Sequence, residues 1–169
     1  MSIVIFEAGC QSSSNRRKFG LCDNPPPSTD HAYIDERNGE NWIASVDNHY
    51  EEKVVFTGID HCIIFPLQPD GTMHKRCDGV LTWSTTVAFV ELKQRGTNGS
   101  QWVKDAEQQL RVTIDKFEGT PEADLFPVKK AYIANSSRPR FRESQAVRME
   151  KFARDTKYIL RIEARIVIT

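Results

Sequence analysis

Residues 77–93 read CDGVLTWSTTVAFVELK, and this stretch decides the fold. Two runs rich in β-branched and aromatic residues flank a short polar segment, which predicts an antiparallel hairpin. The second run, residues 87–93, is apolar at odd and even positions alike, as expected of a strand covered on both faces. If the loop has an even number of residues centred on Ser84 and Thr85, paired positions sum to 169. Because the loop contains no glycine, four residues are favoured over two, with the same register.

The open end of this hairpin is polar. Glu91 and Lys93 are two residues apart and share one strand face, while Leu92 points to the other. In the predicted register Asp78 lies opposite Glu91, with Cβ atoms about 4.5–5.5 Å apart. Two facing carboxylates repel each other, and a divalent cation with a preference for oxygen ligands, magnesium or manganese, would relieve that repulsion.

Such an ion activates a water and polarises a phosphodiester. Lys93 would then orient the attacking water or balance charge on the phosphorus. The alternative from the residues alone is an ordinary strand end, because an E-x-K triplet occurs in many strands and Asp78-Gly79 also suits a plain turn.

The segments after the hairpin alternate between helix and strand. An apolar stripe at offsets of three and four predicts a helix that Gly119 and Pro121 end. Residues 128–134, VKKAYIA, predict a strand, residues 144–155 a second helix, and residues 158–169 one or two further strands. The stripe consists of Val103, Ala106, Leu110, Ile114 and Phe117.

The segments before the hairpin are less regular. Residues 2–7 predict a first strand, residues 10–30 a Ser/Pro-rich surface loop, and residues 53–65 a strand with a bulge near Gly58. Pro69-Asp70-Gly71 predicts a turn. Together the pattern predicts one α/β domain over residues 1–169, with a mixed sheet flanked by helices.

The whole-chain composition excludes few functions. The chain is 39% hydrophobic and 27% charged with a net charge of zero, so any nucleic-acid contact needs a local basic patch. No stretch is apolar enough to span a membrane, and the N-terminal apolar run is too short for a signal peptide, which predicts a cytoplasmic protein. The four cysteines form no C-x-x-C pair, which argues against zinc and predicts free thiols in a reducing cytosol.

The phrases KRCDGVL, VAFVELK and DAEQQL resemble the PD-(D/E)-x-K nuclease superfamily, in its order of strand, strand and helix. They are similar to small bacterial proteins with an R-C-D strand, an F-x-E-L-K strand and an A-x-x-Q-L helix, and the likeness covers residues 54–134. The resemblance implies a restriction-endonuclease-like core. The leading proline of the motif is replaced here, because Arg76-Cys77 precedes Asp78.

The resemblance also implies roles for particular residues. Asp78, Glu91 and the backbone carbonyl of Leu92 would hold Mg²⁺ or Mn²⁺, Lys93 would be the catalytic lysine, and Gln109 would lie beside the site. Many members add an acid from an upstream helix, and this acid is not identifiable in the sequence. Position alone leaves as candidates Glu36, Glu40, Glu51, Glu52 and, on the preceding strand, Asp60, which is a further candidate metal ligand.

Basic residues near the site are candidates for phosphate contact. Lys75, Arg76 and Arg95 flank the hairpin, and Arg138, Arg140 and Arg142 surround Phe141, which could stack on a base. Such an arginine run is more often a solvated loop.

The sequence therefore predicts a metal-dependent endonuclease or exonuclease, with DNA favoured over RNA. A homodimer is a candidate assembly by analogy with enzymes that use one site for each strand. The alternative is a non-catalytic nuclease-fold module that binds nucleic acid or a protein partner.

Overall fold

The computed structural model describes residues 3–94, 100–137 and 144–169. The helices among these residues are α1 (Gln101–Glu118) and α2 (Ala146–Thr156), with short 3₁₀ turns at Ala8–Cys10, Gly39–Asn41 and Pro121–Leu125. The strands are β1 (Gln11–Ser14), β2 (Lys18–Cys22), β3 (Tyr33–Asp35), β4 (Ala44–Asp47), β5 (Val54–Gly58), β6 (Gly79–Trp83), β7 (Thr86–Lys93), β8 (Val128–Asn135), β9 (Ile159–Ile162) and β10 (Arg165–Val167).

The β6–β7 hairpin has the predicted register. Gly79 pairs with Val90 and Trp83 with Thr86, so paired positions do sum to 169. The preference for a four-residue loop is wrong, because only Ser84 and Thr85 lie between the last pair. Ser84 makes this tight turn possible by adopting a positive φ of 49°.

The main sheet is mixed, as predicted. Its strand order is β1-β5-β6-β7-β8-β9, antiparallel as far as β7 and parallel from β7 to β9. Helix α1 makes the crossover between the parallel strands β7 and β8. The predicted stripe of α1 is buried, and α2 begins and ends close to the predicted bounds. Neither helix is long and apolar enough, within the described residues, to cross a membrane.

A second sheet covers the other face of the first, and the sequence did not predict it. Its order is β10-β4-β2-β3. Odd-numbered residues of β7, such as Phe89, share a core with α1 and α2, whereas Val90 packs with Phe19 and Val46 of the second sheet. The molecule is therefore an α/β fold with helices on one face of the six-stranded sheet and the four-stranded sheet on the other.

The N-terminal predictions need correction. Residues 3–7 form no strand, and the predicted Ser/Pro-rich loop contains β1 and β2. Strand β1 reads QSSS, which has no apolar pattern that would predict a strand. It forms a strand because it pairs with β5. Strand β5 ends at Gly58 instead of continuing to residue 65, because the chain turns there and the N–H of Ile63 donates to the Ile59 carbonyl at 2.9 Å. The predicted turn at residues 69–71 is confirmed, with Gly71 at a φ of 83°.

The prediction of four free thiols is also wrong. Cys10 and Cys62 form a disulfide across 52 residues, while Cys22 and Cys77 are free and buried. The physical reason is the β1–β5 pairing, which places the residues before Gln11 beside those after Thr57. The cytoplasmic location stays a prediction.

Candidate active site

The open end of the hairpin brings the predicted carboxylates together. Asp78 and Glu91 are 8% and 1% exposed. The backbone N–H of Asp78 donates to Glu91 Oε1 at 3.1 Å, and the N–H of Leu92 donates to Asp78 Oδ2 at 2.7 Å. Each carboxylate thus accepts a hydrogen bond from a backbone N–H of the opposite chain segment. The Leu92 peptide lies next to both carboxylates.

The electrostatics of this pair are unfavourable to two negative charges. Burial raises the pKa of Asp78 well above its ordinary value, and the neighbouring Glu91 charge raises it further. Burial also raises the pKa of Glu91, against the opposing effect of the Lys93 ammonium. In the absence of a cation, the two groups favour sharing a proton over carrying two charges.

Lys93 and Gln109 complete the arrangement. Lys93 Nζ lies 3.1 Å from Glu91 Oε2 and donates to Gln109 Oε1 at 3.3 Å. The Gln109 side-chain amide in turn donates to the Arg76 carbonyl at 3.3 Å. The resemblance implied that Gln109 lies beside the site, and the structure brings it into contact with Lys93 on the helix-covered face of the sheet.

Two local features hold Asp78 in place, and sequence reasoning missed both. A side chain at Gly79 would put its Cβ 2.1 Å from the Phe56 ring, so the glycine allows β6 to approach β5. The Cys77 N–H donates at 2.8 Å to Thr113 Oγ1, which donates to the Gln109 carbonyl one turn earlier. The available signal was the spacing of four between Gln109 and Thr113 on the buried side of α1.

The donor set fits magnesium or manganese. Asp78 and Glu91 would be the side-chain ligands, because carboxylate oxygens are the hard donors that these ions prefer. Mg²⁺ is commonly bound through one or two carboxylates, with water and substrate phosphate oxygens at its other positions. The Leu92 carbonyl would be a further oxygen ligand.

Asp60 and two predicted basic residues line an open cavity of about 280 Å³ next to Gln109. The Asp60 carboxylate lies 3.3 Å from Arg76 Nε and 3.5 Å from His61 Nε2, so binding a metal there would give up an ion pair. Arg76 also donates to the Ile63 carbonyl at 2.9 Å, which makes it a link between loops. Lys75 is exposed at the rim. Phosphate contact by Lys75 and Arg76 stays a prediction.

The remaining basic candidates, Arg95, Arg138, Arg140 and Arg142, lie outside the described residues together with Phe141. Of the upstream acids chosen by position, Glu36 accepts from Ser14 and pairs with Arg16, and Glu51 pairs with Arg17. Glu40 and Glu52 are exposed.

Asp23, which sequence reasoning did not consider, is an acid upstream of the hairpin whose pKa responds to the charge of Asp78. Burial, together with the Asp78 and Asp60 charges, raises the pKa of Asp23 to about 7. It follows the apolar end of β2 directly, as Asp78 precedes β6, and this placement of an acid at a strand end was the available signal. Its proximity to Asp78 depends on how the second sheet packs, which no local pattern contains.

Comparison of the chain with protein-family models, curated proteins and solved structures finds no match.

Proposed function

We propose that this chain is a divalent-metal-dependent nuclease that hydrolyses phosphodiester bonds in nucleic acid, with DNA as the favoured substrate. The observation that carries the proposal is the buried pair of Asp78 and Glu91 with the Lys93 ammonium held against Glu91. Burying two like charges costs stability unless a partner compensates them. Carboxyl groups with raised pKa values beside an open cavity are typical of functional sites.

The topology supports the same proposal. The antiparallel strands β5, β6 and β7, followed by α1 and the parallel strand β8, have the order that the resemblance to PD-(D/E)-x-K nucleases implies. We therefore infer that the six-stranded sheet and α1 are a restriction-endonuclease-like core. Because the net charge is zero, attraction of nucleic acid would depend on local basic groups such as Lys75 and Lys93.

Lys93 has a defined part in the proposed reaction. When bound, the cation supplies Lewis acidity and a nucleophilic water. The lysine ammonium has three donors, and its two partners among the described residues, Glu91 and Gln109, leave one for the attacking water or a phosphate oxygen. Gln109 holds the ammonium between the carboxylates and the cavity, so that its charge is placed before substrate arrives.

A cleavage panel tests this function. Linear, circular, single-stranded and branched DNA, and RNA, are incubated with the wild type in Mg²⁺ or Mn²⁺, in EDTA, and with Asp78→Ala as the matched variant. Cleavage that needs both the metal and Asp78 is expected. If the wild type cuts nothing in the panel but binds nucleic acid or a protein, the chain is a non-catalytic nuclease-fold module.

A further inference from the structure

A second cavity opens at the carboxyl ends of β7 and β8. Its volume is about 310 Å³, which is at the lower end of the roughly 300–1,000 Å³ typical of small-molecule sites. Its lining combines aromatic rings, carboxylates and polar side chains from the second sheet and from the two strand ends. The lining residues that matter here are Asp23, Tyr33, Glu40, Trp42, Gln94 and Ser136.

This cavity adjoins the carboxylate site. Gln94 directly follows Lys93, and the N–H of Ser136 donates to the Lys93 carbonyl at 2.9 Å. The Gln94 side-chain amide donates to the Asp23 carbonyl, which closes the cavity wall between the two sheets. Along an extended strand Gln94 lies about 10 Å from Glu91. Its side chain points to the opposite face of the sheet, so the cavity and the carboxylates lie on either side of the end of β7.

Trp42 presents a ring that is held in one position. A Cβ at Gly20 would lie 1.9 Å from its Cγ, so the indole packs directly against the backbone of β2. The indole N–H donates to Asp35 Oδ2 at 2.8 Å, and Asp35 also accepts the N–H of Asn38 at 2.8 Å. The side chain is half-buried while it lines the cavity. A fixed, partly exposed aromatic ring loses little entropy when a flat ligand stacks on it.

The charge of the lining selects the kind of ligand. The carboxylates of Asp23 and Glu40 repel a phosphate but accept hydrogen bonds from N–H groups. Adenine, cytosine and guanine carry exocyclic amino groups, and thymine does not. A flat ring with an exocyclic amino group, which offers two N–H donors where thymine offers the single N3–H, is therefore the chemistry that both the indole and the carboxylates fit.

We infer that this cavity is a nucleobase-binding subsite for an amino-bearing base. The base belongs to a nucleotide next to the phosphate that is hydrolysed at Asp78, Glu91 and Lys93, and it leaves the stack to reach the cavity. Its contacts would give the enzyme a preference for the base beside the cut. That placement rests on the proposed nuclease function, whereas binding of the base itself does not.

Calorimetry with single nucleotides tests the inference without catalysis. The 5′-monophosphates of deoxyguanosine, deoxyadenosine, deoxycytidine and thymidine are titrated at up to millimolar concentration, in EDTA, into wild type, Trp42→Leu and Trp42→Phe. Leucine fills the space over Gly20 without an aromatic ring, and phenylalanine keeps one. Trp83→Phe, at the far end of the hairpin, is the matched control.

We expect the three amino-bearing nucleotides to bind more tightly than thymidine monophosphate. Stacking of one base contributes about 1–3 kcal/mol, so Trp42→Leu should weaken binding about 5-fold to 150-fold. Trp42→Phe should retain most of the affinity, and Trp83→Phe all of it.

Three results would overturn the subsite: no binding of any of the four, equal binding of thymidine monophosphate, or unchanged binding by a folded Trp42→Leu. The cleavage panel separates this failure from that of the proposed function. If the wild type cuts DNA but binds no mononucleotide, the subsite is refuted and the proposed nuclease function stands. A wild type that binds mononucleotides through Trp42 but cuts nothing is not a nuclease, and its base-binding site remains.

Discussion

The two ends of the β6–β7 hairpin are built from the same strands but contribute to stability with opposite sign. At the turn end, Trp83 is 2% exposed and its indole N–H donates to the Thr169 carbonyl at 3.1 Å. At the open end, Asp78 and Glu91 are equally buried, and their carboxyl groups face each other. Apolar burial stabilises the first end, while the second loses stability through desolvation and repulsion. A costly arrangement held by backbone hydrogen bonds is what the proposed metal site would explain.

The largest expected effect is on catalysis at the open end. Lys93→Ala should lower the cleavage rate about 100-fold to 1,000-fold while fold, manganese affinity and DNA binding stay near wild type, because the ammonium acts mainly in the transition state. Lys93→Arg should also fail, since a planar guanidinium cannot replace a compact ammonium. Cleavage rates and binding affinities are measured on one substrate.

The matched control for that variant is Lys104→Ala, which removes an exposed lysine from α1 and should leave the rate unchanged. Cleavage by Lys93→Ala at the wild-type rate would reduce Lys93 to a surface charge and remove the functional difference between the two ends.

The next effect is on stability and its pH dependence. The folded-state pKa values of Asp78 and Glu91 are raised, so the fold favours their protonated forms. The metal-free protein should therefore lose stability as the pH rises from about 4, the ordinary carboxyl value, through the folded pKa of the pair. Asp78→Asn keeps an oxygen acceptor for the Leu92 N–H and removes the repulsion. It should stabilise the metal-free protein above that range by about 1–4 kcal/mol.

Denaturant unfolding across pH, in EDTA, measures this effect. Asp124→Asn, at an exposed acid in the 3₁₀ turn after α1, is the control and should leave the pH profile unchanged. A profile for Asp78→Asn that matches the wild type would show that the open end carries no such penalty.

The features of the two ends that could be predicted from the sequence are those that depend on residues close together in the chain. Register and the meeting of Asp78 with Glu91 followed from strand parity and from an even loop centred on Ser84 and Thr85, both of which a local pattern contains. Strand β1, with its serines, became a strand only through pairing with β5 some 40 residues later. The Cys10–Cys62 disulfide and the approach of Asp23 to Asp78 need the packing of distant segments. The site's centre was therefore predictable from sequence, and its surroundings were not.

A smaller effect is expected for the residue that holds the lysine. Gln109→Ala removes a neutral acceptor at 3.3 Å from Lys93 Nζ and a donor to the Arg76 carbonyl. A net contribution of about 0.5–1.5 kcal/mol corresponds to a loss of about 2-fold to 13-fold in kcat. Single-turnover cleavage, measured beside thermal unfolding, checks it. A loss as large as that of Lys93→Ala would mean that Gln109 itself contacts the reacting groups.

The smallest effect is expected at the turn end. Ser84 has a φ of 49°, where glycine is not strained, so Ser84→Gly should raise the free energy of unfolding by up to about 1 kcal/mol. Metal affinity and cleavage should not change, since the turn lies at the far end of both strands. Denaturant unfolding and a cleavage assay measure the two properties, and a change in cleavage would contradict the separation of the two ends.

The central claim is that the buried carboxylate end of the hairpin binds a divalent cation. Calorimetric titration of Mn²⁺ into wild type, Asp78→Ala and Asp105→Ala tests it, because Asp105 lines the neighbouring cavity with Asp60 and reports on that site instead. We expect one ion per chain in wild type and in Asp105→Ala, and loss of binding in a folded Asp78→Ala. Equal manganese binding in Asp78→Ala and wild type would contradict the account.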